Sequence, residues 1–336
     1  MKTLEALCKI PAISGFEKKS LECFKEIFID NGFSDVKTDI YGNIFAIKKS
    51  KTKDAVNILI DAHIDEIGLI VKEIKENGFI LFDSVGGIDY DNLFCREVTI
   101  FGKKEIYGVI GATPPHLKKD NEKEKLYIDT GLKNAEDCIS IGDAIKIKSD
   151  FLKLKNNHIS SGALDNRAGL LCAIMCAKKM RDDVNVTVVG SVREESGLYG
   201  IDLFLKDKNF DCAIVLDVTH GYFEGLSKYS SYTPGEGFTI CYGGILDNKI
   251  TREIEKYLIK NEISYNTEFE PDHPGTNAFN IVTNNIPVIM LSLPLRYMHT
   301  TCETINTKDI KSLIKFISTY NWNNVKLQKK EVDRNV

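Results

Sequence analysis

Apolar positions along the chain change period twice, and the changes divide it into three textures. In the first stretch Leu21, Phe24 and Phe28 recur at helical spacing. Ser14 followed by Glu17 has the form of a capping box, and Gly32 stands where a left-handed residue would close the helix. Two β-type runs follow, at 43–47 and 55–60, the second apolar enough to be covered on both faces. From about residue 68 to 157 short runs rich in Ile, Val and Phe (68–74, 78–85, 96–101, 105–110, 144–148) alternate with Gly or charged turns, which predicts a small all-β module. Within it, 118–125 reads as a solvated charged loop.

After residue 160 helices and strands alternate again. A helix at 166–180 leads to a strand at 184–192, a helix marked by Gly and charge, and a strand at 212–216. A helix at 249–260 and a buried strand at 286–291 come next. The last element is a closing helix at 309–320 with Ile310, Leu313, Ile314 and Ile317 on one face. The expectation is an α/β unit made of 1–67 and 158–326, interrupted by a β-rich insertion at 68–157 and followed by a charged, fraying tail at 327–336. A length of 336 residues agrees with two units at about 150 residues per domain.

Composition narrows the function classes. The 44 Lys+Arg against 48 Asp+Glu leave a charge of −4, with no basic footprint for nucleic acid or an anionic membrane. No apolar run approaches the roughly 20 residues of a membrane-spanning helix, and Glu5 and Lys9 interrupt the N-terminus before a signal-like stretch forms. The nine cysteines are an odd number without a C-x-x-C pair and read as reduced thiols, so a soluble cytoplasmic protein is expected. Cys172 and Cys176 share a helix face and read as core packing.

Four buried-looking strands end in residues that can hold a metal. AVNILI is followed by Asp61, His63 and Asp65; VTVVGSV by Glu194 and Glu195; CAIVL by Asp217; and IPVIMLSLPL by His299. Asp165 stands just before the helix at 166. Ligands of open α/β sheets gather at the carboxyl ends of the strands, so these residues are expected to converge. Each has a plainer reading alone. His63 and Asp65 could be a structural pair, Glu194 and Glu195 a solvated first helical turn, Asp165 an N-cap, and His299 a hydrogen-bonded core histidine. Their conjunction points to two divalent ions sharing a carboxylate, with His63, Asp165, Glu195, Asp217 and His299 as ligands. Glu194 is then free to act as general base, and Asp65 to fix the tautomer of His63. The mixed N/O set suits zinc, and also cobalt or manganese.

At these residues the chain resembles the dinuclear metallo-aminopeptidases of the glutamyl aminopeptidase or TET type, some of which are labelled cellulases. The resemblance lies in AHIDEIGLIV (62–71), ALDNRAG (163–169), VREESGLYG (192–200), VLDVTH (215–220) and PLRYMHTTCE (294–303). SGFE, YGNIFA, VGGID and GVIGATPPH extend it over nearly the whole chain. It implies a zinc-peptidase-like α/β/α sandwich with a mixed sheet, and an inserted PDZ-like β-barrel concerned with oligomerisation. It implies Asp165 as the bridging ligand, His63 and Asp217 completing one metal, Glu195 and His299 the other, and Glu194 as base. It further implies a cis peptide at Asp165–Asn166, short peptide substrates, and assembly into homo-oligomers such as tetrahedral dodecamers. One departure is Asn277, in Gly275-Thr276-Asn277, where such proteins commonly carry Asp, with a consequence for substrate choice or for the surroundings of the ligands.

Two other readings compete. A dinuclear zinc carboxypeptidase or deacylase uses the same ligand types, but its insertion typically lies between the later ligands. A non-catalytic assembly subunit would not need all six positions filled by competent residues. Glycoside hydrolysis needs two carboxyl groups facing a sugar and no metal pair. The chain has no G-x-S-x-G, P-loop or G-x-G-x-x-G.

Overall fold

Four strands, Val184–Ser191, Val56–His63, Cys212–His220 and Val288–Arg296, lie side by side in parallel at the centre of an 11-stranded mixed sheet. Nearly all their residues are buried, because helices cover both faces. The computed structural model describes residues 1–117, 126–272 and 275–326. Ile44–Lys48 and Val36–Thr38 extend the sheet on one side, and Glu303–Asn306, His158–Ser161 and Leu152–Lys153 on the other. Phe238–Gly243 pairs with both Val288–Arg296 and Tyr265–Glu270. One face packs against Leu164–Lys179, Thr307–Thr319, Lys2–Lys9, Leu21–Asp30 and Asn248–Lys260. The other packs against Tyr199–Leu205 and Ala278–Thr283, giving the expected α/β/α sandwich.

The inserted segment closes into a six-stranded antiparallel barrel of Gly68–Ile74, Ile80–Val85, Tyr127–Asp129, Glu105–Gly111, Glu97–Phe101 and Ala144–Ile147. Its own core includes Leu69, Val71, Ile80, Ile100, Ile128 and Ile145, and closure leaves no open sheet edge. Glu66 ties barrel to sandwich, its carboxylate accepting from Lys146 Nζ at 2.6 Å and from the Ala12 amide at 2.8 Å. Gly68 is required at this seam, since a Cβ there would lie 2.7 Å from Ile13 and 2.9 Å from the Ile145 carbonyl.

Several local expectations are corrected. Ser14 and Glu17 do not cap a helix. Ser14 Oγ bonds Ser196 Oγ at 2.8 Å, and Glu17 Oε1 accepts from the amides of Gly15 and Arg193. The helix begins only at Leu21, and Gly32 after it has φ +94° as the cap reading requires. Lys2–Lys9 is a helix the pattern did not disclose, because barely two turns offer too few apolar repeats. The strand expected at 286–291 runs instead from Val288 to Arg296. It tolerates Pro294 because that residue falls between the pairing with Phe238–Gly243, which ends at Ser292, and that with Glu303–Asn306, which begins at Leu295. The readings of 118–125 and 327–336 lie outside the described residues. No helix among the described residues is long and apolar enough to cross a membrane.

Candidate metal centre

The four parallel strands end at one edge, and their register brings the ligand candidates together. His63 is the last residue of its strand and pairs with Ser191, where the neighbouring strand ends. Two residues on, the chain turns through Arg193 (φ 57°) and presents Glu194 and Glu195. Asp217 lies in the next strand, and the fourth leads through Tyr297 to His299, both at positive φ. Asp165 follows the strand His158–Ser161, which runs in the same direction as these four, and lies at the irregular start of Leu164–Lys179, two residues after left-handed Ala163. The peptide joining it to Asn166 is cis, as the resemblance implied.

Asp165 stands between the two imidazoles. Its Oδ1 is 3.1 Å from His63 Nε2 and its Oδ2 is 3.6 Å from His299 Nε2. Glu195 Oε2 lies 3.3 Å from His299 Nε2, and Asp217 Oδ1 lies 3.9 Å from His63 Nε2. Glu194 Oε2 is 4.0 Å from His63 Nε2, so it borders the same space as Asp217. His63, Asp165 and Glu195 offer donor atoms within 4.8 Å of one another, and so do His63, Glu194 and Asp217. All six residues are thus brought together, with Glu194 about as near to His63 as Asp217 is.

The surrounding backbone determines how these side chains are presented. His63 Nδ1 donates to the Asp65 carbonyl (3.1 Å) and His299 Nδ1 to the Gly87 carbonyl (2.8 Å). A carbonyl can only accept, so both rings turn an unprotonated Nε2 toward Asp165 in the neutral form. The Asp65 side chain lies beside the His63 ring and also fastens the next turn. Its two oxygens accept the consecutive amides of Glu194 (3.1 Å) and Glu195 (3.0 Å), while Oδ1 stays 3.6 Å from His63 Nδ1. Glu17 holds the preceding Arg193 amide at 3.0 Å, and together they fasten the Glu194–Glu195 turn.

Reading from sequence missed Glu303. Its carboxylate, 2% exposed, accepts the Asp165 amide at 3.1 Å and the His299 amide at 2.9 Å. Glu303 was quoted only as the last residue of PLRYMHTTCE, and it opens the buried strand Glu303–Asn306. Gly87 was quoted only as part of VGGID, yet it brings the barrel side of the molecule onto His299; a Cβ there would lie 3.0 Å from the ring. Asn166 was also missed, and its amide donates to the Leu216 carbonyl next to Asp217 at 2.7 Å. Glu303→Ala strands the buried Asp165 N–H and the half-buried His299 N–H, and a stability loss of about 2 kcal/mol is expected in denaturant unfolding of chelator-treated protein. A loss below 1 kcal/mol, by the same desolvation argument, would deny Glu303 this bracing role.

Carboxyl groups crowd the cage, and without a cation only protons can offset them. Burial first, and then Asp217, Glu195 and Asp65, push the Glu194 carboxyl up to about 10. Burial and the neighbouring Asp165 push Asp217 up to about 8. Burial alone would lower both imidazoles, but the carboxylates outweigh it: His63 moves well above its ordinary value and His299 to about 9. No Lys or Arg pairs with Asp165, Glu194, Glu195 or Asp217 among the described residues. An N/O donor set with this many buried carboxyl groups and no lysine or arginine among them fits a pair of divalent ions.

Asn277 lies beneath the cage. Its Nδ2 donates to Asp61 Oδ2 at 2.7 Å and to Ser191 Oγ at 2.9 Å. Asp61 is wholly buried and pushed up to about 6 by that burial. An amide here donates to Asp61, where a second carboxylate would oppose it. A cleft of about 320 Å³, lined by residues including His63, Gly87, Asp217, Met298 and His299, connects the cage to solvent.

Comparisons with known proteins agree with this geometry. The family model described as M42 glutamyl aminopeptidase matches residues 42–316. The chain is 26% identical over 329 residues to the lysyl aminopeptidase of Pyrococcus furiosus, covering 93% of this chain and 94% of that protein. Among solved structures, aminopeptidase APDkam598 from the archaeon Desulfurococcus kamchatkensis superposes with TM-score 0.86 at 26% identity, covering 94% of this chain and 92% of the other. The Pyrococcus horikoshii TET1 peptidase, described as assembling into a tetrahedron or a large octahedral shell, gives TM-score 0.81 at 28% identity over 94% and 97%. The chain belongs to the M42 glutamyl aminopeptidase family.

Proposed function

We propose that the protein is a cytoplasmic, metal-dependent aminopeptidase that releases N-terminal residues from short peptides. One observation carries the reading: the two oxygens of Asp165 face different imidazoles, His63 and His299. A carboxylate so placed suits a bridge, with His63 and Asp217 completing one cation site and Glu195 and His299 the other. Two divalent ions bound there, zinc by preference, would polarise the scissile carbonyl and make a bound water acidic near neutral pH.

The chain's own groups do the rest. Glu194, fastened through its amide by Asp65, takes the proton of the attacking water on its carboxylate and passes it to the departing amine. The free amino group of the peptide docks beside the cage, which selects a chain terminus over an internal bond. Walls formed by Gly87, Leu198 and Met298 narrow the approach to an extended peptide.

We further place the catalytic unit at 1–67 and 158–326 and assign the barrel at 68–157 to self-assembly. The oligomer is homomeric, in keeping with the shells described for the TET1 peptidase. Nine free cysteines suit a reducing compartment. A carboxypeptidase or deacylase has less support, because the insertion here follows the first ligand candidate.

The test is release of an N-terminal residue from unblocked and N-acetylated versions of one tetrapeptide, with and without chelator. Release from the unblocked peptide alone, abolished by chelator and restored by zinc, cobalt or manganese, is expected. C-terminal release or deacetylation would overturn the reading.

A further inference from the structure

A second cavity, of about 380 Å³, adjoins the cleft over the cage and shares Val218, Gly275, Thr276 and Met298 with it. Its size is that of a small-molecule site. It is also lined by Tyr229, Tyr232, Phe269 and Met290, which supply apolar and aromatic surface. Glu268, in the strand Tyr265–Glu270, is buried there at 6% exposure.

Glu268 is held in place by hydroxyls alone. Thr219 donates to Oε1, and Thr239 donates to Oε2 at 2.7 Å. Each oxygen keeps a lone pair, and no Lys or Arg pairs with Glu268 among the described residues. Glu270 lines the same cavity, and the imidazole of His220 is its one basic group among the described residues. Two carboxyl groups against one histidine make the cavity acidic. The position is as telling as the charge. Thr219 lies two residues beyond Asp217 in Cys212–His220, roughly 7 Å further along the strand. A residue whose amino group and carbonyl sit at the cage therefore meets Glu268 at about the reach of a four-carbon stem.

We propose that this cavity receives the side chain of the residue to be released, and that Glu268 selects a cationic one, lysine or arginine. The inference rests on the aminopeptidase reading above and names its substrate class. The stem lies along Phe269, Met290 and Met298, and the cationic head meets a carboxylate already stripped of water by the fold. An acidic side chain is repelled by Glu268 and Glu270. A neutral aliphatic one fills the stem's path but leaves Glu268 without its counter-charge.

The test has two arms on the full-length, cation-loaded protein. In the first, kcat/KM is measured for lysyl, arginyl, leucyl and glutamyl p-nitroanilides. Lysyl and arginyl substrates are expected to lead leucyl by about 10-fold or more, with glutamyl last. In the second, calorimetry compares L-lysine with L-norleucine, which has a similar stem and no charge. Lysine is expected to bind about 10-fold more tightly or better. Glu268→Gln keeps the shape and the threonine contacts, and should bring both preferences down to within about 3-fold of unity by removing the charged partner. A leading leucyl or glutamyl substrate, equal binding of lysine and norleucine, or preferences unchanged in a folded Glu268→Gln would each overturn the proposal. The wild-type comparisons stand even if that variant fails to fold. Failure to hydrolyse any of the four substrates would count against the aminopeptidase reading, while the binding arm still decides the cavity.

Discussion

Glu194→Gln is expected to retain both cations and lose about 10³-fold or more in kcat, the range removal of a general base produces. The substitution keeps the amide that Asp65 holds at 3.1 Å, so the Glu194–Glu195 turn should not move. What changes is the proton inventory, since a carboxamide cannot accept a proton from water and return it to an amine. The loss corresponds to about 4 kcal/mol of transition-state stabilisation and should appear in kcat with little change in KM. Metal content by elemental analysis decides between two roles. Glu194 Oε2 stands 4.0 Å from His63 Nε2, in one donor group with Asp217, so a ligating role is geometrically open to it. Two cations per chain with collapsed turnover assign it as the base. One cation per chain makes it a ligand, and turnover within about 10-fold of wild type, well short of a general base's contribution, would remove it from the mechanism.

The parts of the molecule legible in the sequence are those where one local pattern has one structural meaning. Continuous apolar runs such as AVNILI and CAIVL belong to strands covered on both faces, and parallel strands end at a common edge. Reading His63, Glu195, Asp217 and His299 as neighbours therefore needed only strand assignment. The short, evenly spaced β runs after residue 68 disclosed an all-β module, its form as a barrel being implied only by the resemblance, and Tyr127–Asp129, three residues long, was too brief to register. What escaped is contact that only the folded chain creates. Ser14 and Glu17 carry the letters of a capping box, but Glu17 is spent on the Arg193 amide, from 176 positions away. Glu303 bonds two amides, those of Asp165 and His299, that no spacing rule connects to it. Glu268 sits in YNTEFE, a stretch polar enough to pass for a surface strand; it is buried only because Thr219 and Thr239 come to it from two other strands.

Asp165→Asn is expected to remove both cations together, with an affinity loss beyond the roughly 10–100-fold that an outer-shell partner costs. An amide matches the carboxylate in shape, so the backbone bond to Glu303 at 3.1 Å and the approach to the two imidazoles should persist. It cannot match the carboxylate in donors. Asn offers one carbonyl oxygen and one NH₂, so whichever way it turns, a hydrogen-bearing nitrogen faces His63 or His299 where an oxygen stood 3.1 or 3.6 Å away. If Asp165 is the bridge, one site would lose a ligand outright, and the other the negative charge that would hold two cations close to each other. Stability supplies the control. Without cations the cage is overfull of carboxyl groups, Glu194 being pushed up to about 10. Removing one of those charges should leave the chelator-treated variant melting no lower than the chelator-treated parent. A variant that melts normally and binds neither ion marks Asp165 as the shared ligand. One that melts normally and keeps one ion at parental affinity places Asp165 on a single metal, and the bridged pair would have to be abandoned.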